Sequence, residues 1–227
     1  MFPFFDATMV LLIPALILSG YAQHKIRSAY ARYSQVRSRR RFTGAQAAER
    51  VLYGAGIKDV TIEEIPGNLT DHFDPRKKTL RLSSGVYQSE SLAAVGIAAH
   101  EAGHAVQHAQ NYVPLSIRSL IVPVASFGTN GAWIMFILGL LAHAKPLMNL
   151  AIMLFSCGVV FYLITLPVEF NASSRAIRLL VHEGIIDQDE VPHTKKVLSA
   201  AALTYVAAAL MAVMQLVRML LLRNSRD

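Results

Sequence analysis

Two histidines that flank a glutamate form the part of this sequence best suited to chemistry. His100 and His104 are four residues apart, and Glu101 directly follows the first of them. On a helix, residues with this spacing project from one face, so both imidazoles can bind the same metal ion. Imidazole nitrogen is a preferred zinc ligand, and the adjacent carboxylate can accept the proton of an attacking water. The segment therefore predicts a hydrolytic zinc site with Glu101 as its base.

A catalytic zinc site needs a third protein ligand, and the same helix does not supply one. The extended form of this motif has a glycine and then a third histidine, but this chain has Gln107 and Gln110 at those places. His108 lies on nearly the same face as His104, yet about 6 Å further along a straight helix. We therefore assign His108 to the surroundings of the site or to solvent.

Glu169 is the third ligand that we favour. It follows the apolar stretch at residues 147–166, which forms a hairpin with the stretch at 118–142 and so returns the chain to the side of the histidines. A carboxylate at a membrane boundary also requires a cation nearby. An ion pair with Arg175 or Arg178 is the alternative interpretation of Glu169. Glu183 is the next candidate ligand.

The composition predicts a membrane protein. Hydrophobic residues make up 53% of the chain, which is more than an ordinary soluble domain contains. A single cysteine, Cys157, excludes an internal disulfide and a thiolate metal cluster. The basic residues follow the first apolar stretch rather than precede it, so we expect an uncleaved anchor there. Four stretches are long enough to cross a bilayer, at about residues 4–22, 118–142, 147–166 and 199–222.

The net charge of +7 orients these stretches. Lysine and arginine concentrate between the first and second stretches and between the third and fourth, whereas the turn between the second and third has only Lys145. Because cytoplasmic loops are enriched in basic residues, the two longer segments are expected in the cytoplasm. Contacts with the bilayer explain the charge without nucleic acid.

The segment between the first two stretches has the pattern of a small α+β module. Residues 43–52 have helical spacing, and residues 60–65 and 78–83 alternate like strands, with a turn at 71–75 between them. A helix capped by Ser89 or Ser91 then carries the histidines to about residue 110. The strand at 79–83 is expected to offer its edge to an extended peptide.

These features predict a mainly α-helical membrane protein. We expect about four transmembrane helices and a small cytoplasmic α+β module of the zincin type. The predicted divisions are an N-terminal anchor at residues 1–24, the module with the histidines at 25–116, a transmembrane hairpin at 117–167, a cytoplasmic helix with the third ligand at 168–198 and a C-terminal membrane helix at 199–227.

Three segments carry a resemblance to a known family. Residues 98–108, residues 69–75 with 80–83, and residues 166–173 are similar to the YugP-like membrane zinc metallopeptidases. This resemblance implies a bacterial cell membrane, peptidase activity and Zn²⁺ as cofactor. A more distant likeness to the HtpX and CAAX-prenyl membrane peptidases implies a gluzincin-like ligand set with Glu169. Ser173 stands where those peptidases have an aspartate that orients a ligand histidine.

The expected function is that of a zinc metalloendopeptidase that cleaves membrane or membrane-near proteins in contact with the lipid bilayer. A catalytically silent quality-control scaffold and a zinc hydrolase of another amide or ester are the alternatives. Ser173 and Asn171 are further candidates for contacts to a ligand or to substrate. His182, His193 and Tyr205 are candidates to donate to the oxyanion, although each also fits a surface or interfacial residue.

Overall fold

The structure, a computed structural model, is mainly helical. It describes residues 7–225, with the side chains at 124 and 126–130 left aside, so residues 1–6 of the predicted anchor and residues 226–227 lie outside it. A 3₁₀ turn at Ala7–Leu12 leads into helix α1. The helices are α1 (Ile13–Tyr33), α2 (Gly44–Gly54), α3 (Ser84–Tyr87), α4 (Leu92–Ala109), α5 (Val113–Leu141), α6 (Lys145–His182) and α7 (Val191–Asn224), and the strands are β1 (Thr61–Ile65), β2 (His72–Asp74) and β3 (Thr79–Ser83).

Three helical segments are long and apolar enough to cross a membrane. They are Ala7–Tyr33, Lys145–His182 and Val191–Asn224, among the residues that the structure describes. Helix α5 is also apolar, but its described residues give only the shorter stretches Val113–Pro123 and Gly131–Leu141. The predicted span at residues 118–142 therefore stays a prediction.

The chain divides into two compact units. One comprises residues up to Gln23, Ser116–Pro167 and the residues from Leu203 onward, and its core includes Phe136, Met148 and Met219. The other comprises His24–Leu115 and Val168–Ala202, and we call it the site unit because all the predicted metal ligands belong to it.

The sheet of the site unit has the strand order β1-β3-β2. Strand β3 pairs in parallel with β1 and antiparallel with β2, and its Leu80 and Leu82 are fully buried. Two predictions are wrong here. The strand at 79–83 does not offer an open edge to a peptide, because β1 pairs with it along 79–83 on one side and β2 pairs with residues 79–81 on the other. The predicted turn at 71–75 contains the short strand β2, because Phe73 pairs opposite Leu80 and its neighbours extend that pairing.

Helix α4, which carries the histidines, begins where the sequence predicts. The hydroxyl of Ser91 accepts a hydrogen bond from the backbone N–H of Ala94 at 3.2 Å, which caps the first turn. The helix ends at Ala109, and Asn111 follows in the left-handed region with φ 51°. Its apolar face, including Val95, Ala98 and Ala102, is buried in the core of the site unit.

Small residues let α4 approach the neighbouring helices closely. A Cβ atom on Gly103 would lie 2.8 Å from the backbone oxygen of Ala172 in α6, which is closer than ordinary packing permits. A Cβ atom on Gly96 would lie 2.8 Å from the side chain of Thr194 in α7. These contacts set α4 directly against the segment of α6 that contains Glu169.

Candidate metal centre

Three predicted ligands come together on α4 and α6. Their ligating atoms lie within 4.8 Å of one another in the group His100, His104 and Glu169. The Oε2 atom of Glu169 is 3.2 Å from Nε2 of His100 and 3.7 Å from Nε2 of His104. Glu169 is almost fully buried, at 2% exposure, so its negative charge requires a partner of opposite sign.

The spacing of these atoms fits a tetrahedral zinc ion. With zinc–nitrogen and zinc–oxygen distances of about 2.0–2.1 Å, two ligand atoms at tetrahedral corners are about 3.3 Å apart. The two distances from Glu169 Oε2 lie close to this value. The donor set of two imidazole nitrogens and one carboxylate oxygen is also one that catalytic zinc sites use. The residues present therefore fit a zinc ion with one position left for water.

Each histidine is held through its other ring nitrogen. Nδ1 of His100 is 3.1 Å from the hydroxyl of Ser173, and Nδ1 of His104 is 3.0 Å from Oε1 of Gln107. When Nδ1 donates its proton to such an oxygen, Nε2 keeps the lone pair that a metal needs. Both Nε2 atoms are the ones that face Glu169. The amide oxygen of Gln107 only accepts, so it favours the tautomer of His104 that can bind a metal, whereas the hydroxyl of Ser173 orients the ring of His100.

Gln107 is fixed by contacts on both ends of its amide. Its Nε2 atom donates to the carbonyl oxygen of Val168 at 2.8 Å and to Oδ1 of Asn171 at 3.0 Å. These two acceptors determine which end of the amide is nitrogen, so Oε1 must face His104. The side chain is fully buried at 0% exposure. Gln107 thus ties a ligand histidine of α4 to the α6 segment that carries Glu169.

Asn171 continues this network toward Arg175. Its Oδ1 atom also accepts from Nε of Arg175 at 2.6 Å, and Arg175 donates in addition to Gln110. The guanidinium of Arg175 further lies 5.8 Å from the ring centroid of Tyr112. These contacts engage the guanidinium of Arg175, one of the two arginines that the alternative interpretation paired with Glu169.

Glu101 lies next to the ligand group without belonging to it. Its side chain is partly buried, and burial raises the pKa of its carboxyl above the ordinary value. The positive charges of His104 and His100 act in the opposite direction, and the carboxylates of Glu169 and Asp71 add to the rise. A carboxylate whose proton affinity is raised is suited to accept a proton.

The pKa of His104 reflects the negative charge around it. Burial opposes the charged imidazolium, but the hydrogen bond with Glu169 and the charge of Glu101 outweigh it, and the pKa of His104 is raised. The same carboxylates that favour a proton on this imidazole favour a metal cation in its place.

The polar residues around β2 have structural contacts. Asp71 accepts from the backbone N–H of Ser83 at 2.8 Å and from its hydroxyl, and burial raises the pKa of Asp71 despite these bonds. Asp74 accepts from the backbone of Arg76 at 2.9 Å, as in an Asx turn. His72 contacts the carbonyl oxygen of Thr70 at 2.8 Å. These contacts give the polar side chains of this segment structural roles.

The other candidate ligands have different partners. Glu183 forms an ion pair with Arg50 at 3.3 Å and contacts His182 at 3.0 Å, and His182 is largely exposed. His108 is exposed and lies against Phe73, with ring centroids 5.9 Å apart. Among the described residues, therefore, neither Glu183 nor His108 joins the ligand group.

The proposed contacts of His193 and Tyr205 with substrate stay predictions. His193 is exposed, and its ring lies 5.5 Å from the ring of Tyr33. Tyr205 is 36% exposed and belongs to the part of α7 outside the site unit.

One residue that positions a histidine was not recognised from the sequence. Gln107 was interpreted only as the absence of a glycine, although its place three residues after His104 puts it on the same helix face. Ser173 was predicted as a candidate for contact to a ligand, and its hydroxyl lies 3.1 Å from Nδ1 of His100.

The fold and the site define a mainly helical protein with candidate membrane spans and a centre of two histidines and a carboxylate. The chain belongs to the family described as "Putative neutral zinc metallopeptidase", whose model matches residues 8–224. It is 47% identical over 218 residues to "Putative membrane protease YugP" of Bacillus subtilis (strain 168), which covers 96% of this chain and 97% of that protein. No solved structure matches the chain. The resemblance drawn from the sequence is thereby confirmed.

Proposed function

We propose that this chain is an integral-membrane zinc endopeptidase that hydrolyses peptide bonds of membrane or membrane-near proteins. One observation carries the proposal. The Nε2 atoms of His100 and His104 converge on Glu169 Oε2 at 3.2 and 3.7 Å, while their Nδ1 atoms are held by Ser173 and Gln107. Membership of the zinc metallopeptidase family supports the same conclusion.

His100, His104 and Glu169 would hold the zinc ion in a gluzincin-like ligand set. When bound, zinc supplies Lewis-acid chemistry that makes a coordinated water acidic near neutral pH. Ser173 and Gln107 would keep the imidazoles in the orientation and tautomer that binding requires. The buried Glu169 carboxylate would balance part of the metal charge.

Glu101 would act as the general base and then as the general acid. Its carboxylate would take the proton from the attacking water and return it to the nitrogen of the leaving amine. Burial raises the pKa of the Glu101 carboxyl and so brings this pKa closer to the working pH. Because Glu101 lies outside the ligand group, its proton transfer does not compete with metal binding.

Substrate would enter beside strand β2 rather than along β3. Since β3 is central, only the outer strands of this sheet have an edge to which an extended peptide can add. Strand β2 is the outer strand beside the C-terminal half of α4, as the contact between Phe73 and His108 indicates. Backbone pairing at such an edge would recognise peptides largely irrespective of side chain.

We further propose a multi-pass location in a bacterial cell membrane with the site on the cytoplasmic side. The three candidate spans and the membrane-protease name of the Bacillus relative support the membrane location. The side rests on the concentration of lysine and arginine between residues 25 and 81 and between 175 and 196.

A cleavage screen tests the proposal. The full chain, purified with zinc and reconstituted into vesicles, is incubated with a mixture of membrane proteins and peptides, in parallel with Glu101→Gln. New peptide termini should arise with the native chain only. Zinc-bound native protein that cleaves nothing would favour the silent scaffold, and hydrolysis restricted to non-peptide amides or esters would favour the other alternative.

A further inference from the structure

A groove of about 380 Å³ lies between α6 and α7 in the site unit. Phe170, Ile177 and Leu198 contribute to its apolar lining. Arg178 and Lys195 lie at its border, one on each helix, and both are exposed. The groove thus combines an apolar strip with two cations that reach it from opposite walls.

Other basic residues of the site unit have carboxylate partners. Arg39, Arg40 and Arg50 form ion pairs with Asp189, Asp187 and Glu183. Within the described part of the chain, Arg178 and Lys195 form no ion pair with a carboxylate. The positive charge at the groove is therefore available to an external anion.

The apolar lining of the groove includes an exposed aromatic side chain. Phe170 is 50% exposed. It belongs to Lys145–His182, a helix that is long and apolar enough to cross a membrane. A large exposed apolar side chain beside two cations is typical of a surface that contacts a membrane lipid.

We propose that this groove binds an anionic phospholipid. The phosphate lies between Arg178 and Lys195, and an acyl chain follows Phe170 and Leu198 along the helices toward the bilayer. Basic pockets between membrane helices bind anionic headgroups in this way. An acidic peptide would satisfy the cations but not the apolar lining of the groove. The two cations and this apolar lining together favour a lipid.

The lipid site adjoins the metal site through Ser173. Its side chain lines the groove, and its hydroxyl contacts Nδ1 of His100 at 3.1 Å. Ser173 is one helical turn from Glu169, which is about 6 Å along the helix axis. The lipid inference goes beyond the proposed peptidase function and does not require it, because binding is measured without turnover.

Photo-crosslinking of lipid to the full chain tests the inference. The protein is reconstituted in phosphatidylcholine vesicles with a trace of photoactivatable phosphatidylglycerol, and the crosslinked peptides are mapped. Unlabelled phosphatidylglycerol should displace the probe, whereas phosphatidylcholine, inorganic phosphate and an acidic peptide should not. Crosslinks should fall in residues 170–178 and 191–202.

A charge-matched pair of variants sharpens the test. Arg178→Gln with Lys195→Gln should weaken phosphatidylglycerol competition about 25-fold, at roughly fivefold per cation. Lys58→Gln with Lys196→Gln removes the same charge outside the groove and should leave competition near the native level. Equal loss in both double variants, displacement by phosphatidylcholine, or displacement by phosphate or acidic peptide would overturn the proposal. Circular dichroism spectra and thermal melts close to those of the native chain confirm that both double variants are folded.

Discussion

Gln107 offers a sharp test of how the histidines are held. Replacing it with leucine keeps a side chain of similar size but removes the acceptor for Nδ1 of His104 and the donor to Val168 and Asn171. The helix α4 and Glu169 are otherwise left in place. We expect Gln107→Leu to fold, to bind zinc more weakly and to lose activity in proportion.

The size of the effect follows from these contacts. Loss of a residue that orients a metal-ligating histidine typically weakens metal affinity by about 10- to 100-fold. That range corresponds to about 1.4–2.7 kcal/mol of binding free energy. The lost hydrogen bonds of the amide should also lower the free energy of unfolding by about 1–3 kcal/mol. Asn171 retains the bond from Arg175, which limits this cost.

Chelator competition at neutral pH measures the zinc affinity, and a thermal melt measures the stability. The matched control is Gln110→Leu, the same substitution one helical turn later at an exposed residue that contacts Arg175 rather than a ligand. Its zinc affinity should stay close to native. Native zinc affinity in Gln107→Leu, or an equal loss in Gln110→Leu, would refute the assigned role of Gln107.

Three further predictions concern position, packing and topology. Ser173→Ala should weaken zinc binding about tenfold, because His100 loses its acceptor, while Ser174→Ala should not; chelator competition compares them. Gly103→Ala places a Cβ 2.8 Å from a backbone oxygen of α6 and should lower the free energy of unfolding, measured by a thermal melt, by about 1–3 kcal/mol. Gly20→Ala, where nothing lies within 4 Å of the added Cβ, should not. In a cysteine-free background, a cysteine at 145 should be labelled from outside and one in the site unit protected; the reverse would invert the orientation.

The three residues of the candidate ligand group could be predicted because their signals are local or topological. Histidines four apart must share a helix face, and a hairpin must return the chain to its starting side. Both arguments hold regardless of how the rest of the chain packs. The structure accordingly brings His100, His104 and Glu169 within ligand distance.

The residues that hold the histidines could not be predicted in the same way. Gln107 acts because α6 presents the carbonyl of Val168 and the amide of Asn171 to it, and this depends on the close approach of two helices. Glutamine is also an ordinary helix residue without a distinctive spacing pattern. Packing between elements, which a single sequence does not reveal, decides their roles.

Strand order was likewise beyond the sequence pattern. The alternation at 79–83 correctly indicated β3, but not that β1 would pair in parallel on one side and β2 on the other. The central place of β3 in the sheet follows from that order rather than from its own residues. The position of the following helix, capped by Ser91, could be read directly.

Paired zinc content and peptide cleavage on Glu101→Gln and Glu169→Gln test the central claim most directly. Glu101→Gln should keep about one zinc per chain and lose turnover, because the amide cannot accept the proton of water. Glu169→Gln should lose zinc and activity together, with part of the activity restored by excess zinc. If Glu169→Gln binds zinc as tightly as the native chain while Glu101→Gln loses it, the assignment of ligand and base is contradicted.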